Sequence, residues 1–201
     1  LGLWRMNPAS AVYFGLSGDR PVPADYDGDG TEEPAVFRNA AGLWAARGVT
    51  RLVFGTGGDV PVGADFDLDG RAEFAVFRPS SGLWKIRGIT SAFFGAEGDY
   101  PVPARYSRLG PIRIAIARSG VGLWAAREET RAWYGGGAFF PQAADWDGDG
   151  DCDPAFFRSE TSGAWALKPL GDVFFGAAGD VPVSSRIYGL RPAGGGGTGA
   201  R

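Results

Sequence analysis

Residues 42–70 read GLWAARGVTRLVFGTGGDVPVGADFDLDG, and the same order of motifs returns along the chain. A Gly-x-Trp motif stands at Gly2–Trp4, Gly42–Trp44, Gly82–Trp84, Gly122–Trp124 and Gly163–Trp165. An aromatic-Gly pair follows each time, at Phe14-Gly15, Phe54-Gly55, Phe94-Gly95, Tyr134-Gly135 and Phe175-Gly176, so the copies step by 40, 40, 40 and 41 residues. Gly-Asp comes next at Gly18-Asp19, Gly58-Asp59, Gly98-Asp99 and Gly179-Asp180, while the fourth unit reads Ala138-Phe139. Pro-Val then closes the series at Pro21-Val22, Pro61-Val62, Pro101-Val102 and Pro182-Val183. Motifs held in register over this distance are an internal repeat, and a repeat decides the fold.

Each unit contains four short apolar runs separated by turn residues; in the first full unit they are 20–26, 34–38, 42–47 and 51–55. Runs this short, rich in Val, Phe, Trp and Tyr and lacking helical spacing, read as strands. Four strands in about forty residues predict an all-β chain folded as a β-propeller. A parallel β-helix is the rival, but its repeats are shorter and lack the four-run pattern. With the Pro-Val run as the innermost strand, the chain opens on the third strand of a blade and closes near 181–187 with a new first strand. The expectation is therefore five blades, the last shared between the N- and C-termini, which would leave no unpaired terminal edge. The same complementarity between molecules would give self-assembly through terminal strands. Residues 1–190 form the propeller in this reading, and 191–201, with four consecutive glycines, a flexible tail.

Composition bounds the function. The 201 residues are 44% hydrophobic and 13% aromatic, enough for a packed core. No apolar run reaches the roughly 20 residues of a membrane span, so no membrane insertion is expected. The first residues start within a repeat, without an initiator Met or a signal pattern, as in a processed or excised chain. Histidine is absent, which removes the commonest general base. The single cysteine, Cys152, permits neither a disulfide framework nor a multi-cysteine zinc site. A net charge of −3 provides no basic field for nucleic acid.

Three units carry alternating carboxylates: Asp25, Asp27 and Asp29; Asp65, Asp67 and Asp69; Asp145, Asp147 and Asp149. Counting the first Asp as position 1, acids fill 1, 3 and 5, a glycine sits at 6, and position 9 is Glu33, Glu73 or Asp153. Like charges this close repel unless a cation neutralises them. Calcium takes about six to eight oxygens, and such loops wrap it with carboxylates and one main-chain carbonyl, here from Thr31, Arg71 or Asp151. Magnesium fits worse, since it demands tight octahedral geometry. A solvated Asp-Gly turn is the plain alternative. The third unit has Arg105, Ser107, Leu109 and Arg113 at the four acidic positions, and a shared ion predicts such joint loss. Three Ca2+ sites are expected, not five.

With Phe-Gly, Gly-Asp-x-Pro-Val, Asp-x-Asp-x-Asp-Gly-x-x-acid, Ala-Val-Phe-Arg and Gly-x-Trp in this order over residues 2 to 187, the chain resembles the FG-GAP/VCBS repeat family. That family includes the integrin α-subunit propeller and many bacterial surface proteins. The resemblance implies calcium between the first two strands of a blade, an extracellular setting, and adhesion, carbohydrate binding or scaffolding. Carried over by position, the ligands are the twelve acids named above. The third loop and the missing fourth Gly-Asp depart from the pattern, and integrin-type rings have seven blades.

An enzyme would need reactive groups that break the repeat. Glu128-Glu129, where other units have Gly-Val or Gly-Ile, reads as an exposed hairpin turn. Cys152 lies between two acids that would raise its thiol pKa. A non-catalytic, calcium-stabilised, secreted or cell-surface binding or structural module is therefore expected, with a protein or glycan partner. The alternative is a lectin-like propeller with sites between blades, and a third reading is the propeller of a polysaccharide-active enzyme. Trp4, Trp44, Trp84, Trp124 and Trp165 read as packing between sheets, while Trp133 and Trp146 fall outside their register and are better ligand candidates. Asp19, Asp59, Asp99 and Asp180 read as turn caps. Arg38, Arg78, Arg118 and Arg158 read as solvated or paired between strands.

Overall fold

The computed structural model describes residues 2–6, 10–129, 131–133, 140–158, 164–167, 171–175 and 177. Four antiparallel four-stranded sheets succeed one another, each with its strands in chain order. Blade 1 comprises Arg20–Pro21, Ala35–Arg38, Leu43–Ala46 and Thr50–Val53. Blade 2 comprises Val60–Ala64, Glu73–Arg78, Leu83–Ile86 and Thr90–Phe93. Blade 3 is built of Tyr100–Pro101, Ala115–Arg118, Leu123–Ala126 and Arg131–Trp133, and blade 4 of Phe140–Ala144, Asp153–Arg158, Ala164–Leu167 and Gly171–Phe174. Leu3–Met6 and Ser10–Tyr13 pair as a separate two-stranded sheet. The architecture is an all-β propeller arrangement of four complete blades, so the expected count of five is not matched. The strand expected at 181–187 and the tail at 191–201 lie outside the described residues.

First strands vary in length. In blades 1 and 3 only two residues form a continuous ladder, and an isolated bridge follows at Ala24–Glu33 or Ala104–Arg113. Pro23 and Pro103 stand at the gap, where the Val22 and Val102 carbonyls accept from the Tyr26 and Tyr106 hydroxyls. Blades 2 and 4 have Gly63 and Ala143 there, and their first strands run unbroken for five residues.

The cores lie between blades. One cluster joins Val22, Phe37 and Trp44 of blade 1 to Ala72, Phe74 and Val76 of blade 2. A second joins Val62, Phe77 and Trp84 to Ile112, Ile114 and Ile116 of blade 3, and a third joins Ala104 and Trp124 to Cys152 and Phe156 of blade 4. Trp44, Trp84 and Trp124 are 0% exposed. Trp44 meets Phe74 edge-on at 5.3 Å, and Trp124 meets Phe156 at 5.4 Å. These rings have no free face for a sugar, so packing is their role.

The motif glycines follow from the same closeness. Gly82 sits at φ 67°, and a β-carbon there would collide with the carbonyl of Gly95. Gly-x-Trp and Phe-Gly thus mark a backbone crossing that excludes side chains.

Candidate metal centre

All three acidic loops bridge the first and second strands of their blades, and all fold alike. Asp25 accepts hydrogen bonds from the N–H groups of Gly28 (2.6 Å) and Gly30 (2.8 Å); Asp145 accepts from Gly148 (2.7 Å) and Gly150 (3.1 Å). Asp65 accepts from Asp69 (3.1 Å) and Gly70 (3.0 Å). Position 3 accepts from position 5 in each loop, and position 5 from the N–H of position 7. The position-9 acid reaches back across the loop: Glu33 accepts from Tyr26 N–H at 2.8 Å, Glu73 from Phe66 at 2.7 Å and Asp153 from Trp146 at 3.1 Å. The chain must turn left-handed at position 4, where Gly28 and Gly148 have φ of 80° and 84° and Leu68 has 63°.

This folding brings carboxylates into three groups. Asp25, Asp27, Asp29 and Glu33 place one oxygen each within 4.8 Å of one another, as do Asp65, Asp67 and Glu73, and Asp145, Asp147 and Asp153. Two oxygens on opposite sides of a calcium ion bound at about 2.4 Å are about 4.8 Å apart, so oxygens this close can share one ion. Asp69 and Asp149 fall outside their groups, so the structure gathers ten of the twelve expected acids. Thr31, Arg71 and Asp151 occupy position 7 next to each group, where a main-chain carbonyl completes the donor set expected for calcium.

Electrostatics make these groups costly without a cation. Burial, reinforced by Asp67, Asp65 and Asp69, pushes Glu73 up to about 7, and burial with Asp147 and Asp149 pushes Asp153 up to about 6. Glu33 is raised for the same reasons. The fold without metal therefore holds protons that the unfolded chain has released. Its stability is full below the ordinary carboxylate range and is lost as pH rises through about 6 and about 7. In chelator the melting temperature should accordingly be higher near about pH 5 than near about pH 7.5, and calcium should reverse that order by displacing the protons. Calorimetry at both pH values checks this; a pH-independent melt in chelator would count against it.

Blade 3 replaces the missing acids with a network of its own. Arg113, at position 9, pairs with Glu128 at 3.1 Å and Glu129 at 3.4 Å, and Ser107, at position 3, donates to Glu129 at 2.9 Å. Glu128 holds φ 66° in a turn where Gly48 and Gly88 have 81° and 83°. The hairpin turn expected at Glu128-Glu129 is there, but it has partners: a guanidinium supplies the positive charge at this loop. Backbone bonds tie neighbouring loops together, Ala72 N–H to Asp25 carbonyl at 2.6 Å and Cys152 N–H to Arg105 carbonyl at 2.8 Å. Cys152 is buried, and burial first, the nearby acids second, push its thiol up to about 11, far from a nucleophile's range.

One arrangement was only half visible in the sequence. Asp19, Asp59 and Asp99 do cap their turns, accepting from the N–H groups of Leu16, Thr56 and Ala96. Each also takes a two-pronged ion pair from the arginine 19 residues on, Arg38, Arg78 or Arg118, with Nε–O distances of 2.9, 2.7 and 2.6 Å. Arg38 holds the Asp19 carboxyl below its usual range. The constant offset was the available signal. In the fourth unit the residue 19 before Arg158 is Phe139, and Asp180 lies outside the described residues. Trp146 packs on Trp165 at 5.2 Å, sharing the slot of Tyr26, Phe66 and Tyr106, whereas Trp133 is 62% exposed.

Among the described residues no helix is long and apolar enough to cross a membrane. No family model, curated protein or solved structure matches the chain.

Proposed function

We propose that this chain is a non-catalytic, calcium-stabilised propeller of the FG-GAP/VCBS type that works outside the cell as a binding or structural module. The observation that carries this reading is the threefold recurrence of one loop geometry, with carboxylate oxygens within 4.8 Å of each other, beside a fourth loop that loses all four acids together. The residues holding the ions are Asp25, Asp27, Asp29 and Glu33, then Asp65, Asp67 and Glu73, then Asp145, Asp147 and Asp153, with Thr31, Arg71 and Asp151 giving carbonyls. Asp69 and Asp149 join as the loops close on the ion. The calcium neutralises charge and fixes the turn between the first two strands.

The setting outside the cell rests on the resemblance to the repeat family. Calcium modules of extracellular proteins bind at roughly 10⁻⁴–10⁻³ M, a range met outside the cell but not in the cytosol. The partner is a protein or a glycan. Native mass spectrometry tests the calcium reading. Three ions per chain are expected, falling to two in Asp65→Asn/Glu73→Gln; a chain that takes up no calcium would refute it.

A further inference from the structure

The outer rims of the blades carry a pattern that the calcium loops do not explain. Two residues before the aromatic-Gly glycine stand Tyr13, Val53, Phe93, Trp133 and Phe174, between 62% and 74% exposed. Large apolar side chains that stay in water at the same place in every copy mark a contact surface. In blades 1 to 3 they pair across the hairpin with Leu43, Leu83 and Leu123. The next pair on the same face is Ala45–Arg51, Lys85–Ser91 and Ala125–Arg131. One cation occupies that pair in each blade, although it changes strand between them. Neither Arg51 nor Arg131 belongs to any of the ion pairs among the described residues. The face is turned towards the preceding blade: Ala125 and Leu123 join the core shared with blade 2, and Lys85 Nζ lies 5.3 Å from the ring centre of Phe54 in blade 1. Each of these rim faces therefore offers one exposed apolar side chain and one cation, about 7 Å apart along the strand.

We infer that these faces bind an anionic glycan, its sugar rings lying on Trp133 and Phe93 and its carboxylate or sulfate groups meeting Arg131, Lys85 and Arg51. An apolar ring beside a cation, repeated on blades 2 and 3, suits a polymer with a repeating unit better than a folded protein surface. A nucleic acid also repeats, but its phosphate density calls for a stronger basic field than one cation per face on a chain of net charge −3. Val53 has no ring to stack, so the face of blade 1 is the weakest, and blade 4 has Asp172 at the cation's place. The inference rests on the reading of the chain as a binding module, and it names the partner's chemistry.

The test titrates hyaluronan and chondroitin sulfate oligosaccharides into the full calcium-loaded chain at low salt, with neutral dextran and oligo(dT) alongside. Binding of an acidic oligosaccharide is expected, weakened roughly tenfold by Trp133→Ala and by Arg131→Gln, with a shallower salt dependence in the latter. Val53→Ala should change it little, and all three variants should keep the parent melt because the side chains are exposed. No binding of either acidic glycan, binding that Trp133→Ala and Arg131→Gln retain, equal binding of dextran, or preference for oligo(dT) would each overturn the inference. Ion count is read separately, so rim binding by a chain that holds no calcium would sink the calcium reading alone.

Discussion

Removing calcium should lower the melting temperature of this chain by roughly 15–30 °C. A ligand that binds only the folded state at about a hundred times its dissociation constant stabilises by about 2.7 kcal/mol, so three independent sites contribute about 8 kcal/mol. For a domain of this size each kcal/mol moves the midpoint by about 2–4 °C. Total stabilities run at about 5–15 kcal/mol, so the metal-free chain is expected near the limit of folding at ambient temperature. The three groups of mutually close carboxylates are what makes the loss so large: without the ion their repulsion remains and the turns they shape lose their anchor. Scanning calorimetry in millimolar calcium and in EDTA measures the difference. Magnesium at equal concentration should recover only a small part of it, because it demands tight octahedral geometry and gives up its waters reluctantly. A melt unmoved by EDTA would show that the loops close on their backbone hydrogen bonds alone.

The second large effect is expected at the buried tryptophans. Trp84→Ala should cost roughly 3–5 kcal/mol, the usual range for removing a large buried aromatic. Trp84 is wholly buried and packs tilted on Phe77 at 5.1 Å. Its Nε1–H also donates to the Phe94 carbonyl at 3.0 Å, which the truncation would leave without that donor. Trp84→Phe keeps part of the packing but not the hydrogen bond and should fall between. Chemical denaturation read by far-UV circular dichroism checks the series. Trp133→Ala, on an exposed rim, serves as the control and should leave stability unchanged. Trp84→Ala that unfolds at the parent's midpoint would remove the ring from the core.

Much of this was legible because the repeat averages out local accident. One Trp every forty residues, always after Gly-x, can only be structural or a binding site in every blade, and full burial of Trp44, Trp84 and Trp124 resolves that choice. The acidic loops were legible because carboxylates at alternate positions make no sense as a strand. What escaped depended on distance in space. The pairing of Asp59 with Arg78 links a turn to the end of the blade's second strand, and neither residue alone announces the other. The pairing of Arg113 with Glu128 and Glu129 joins a loop to a hairpin at the same end of the blade, so two departures from the repeat that looked independent are one compensation. The rim cations were hidden for a related reason: Lys85 is out of register with Arg51 and Arg131 in the sequence and falls in with them only as a member of a cross-strand pair. Asp69 and Asp149 show the reverse, since spacing alone put them with their neighbours and the folded loops leave them outside the groups.

The placement of the cores between sheets has a consequence for how such a chain can change its length. A single forty-residue cassette carries one half of two joints and the whole of none, so alone it would bury too little to persist. Added to a row, it brings its own Trp to the apolar second strand of the next blade and its own second strand to the previous Trp, and every new seam follows the pattern of the old ones. Duplication or loss of a cassette therefore requires no redesign of the interior. Only the two outermost seams feel the change, and there natural selection has to act on just the residues that face no neighbour.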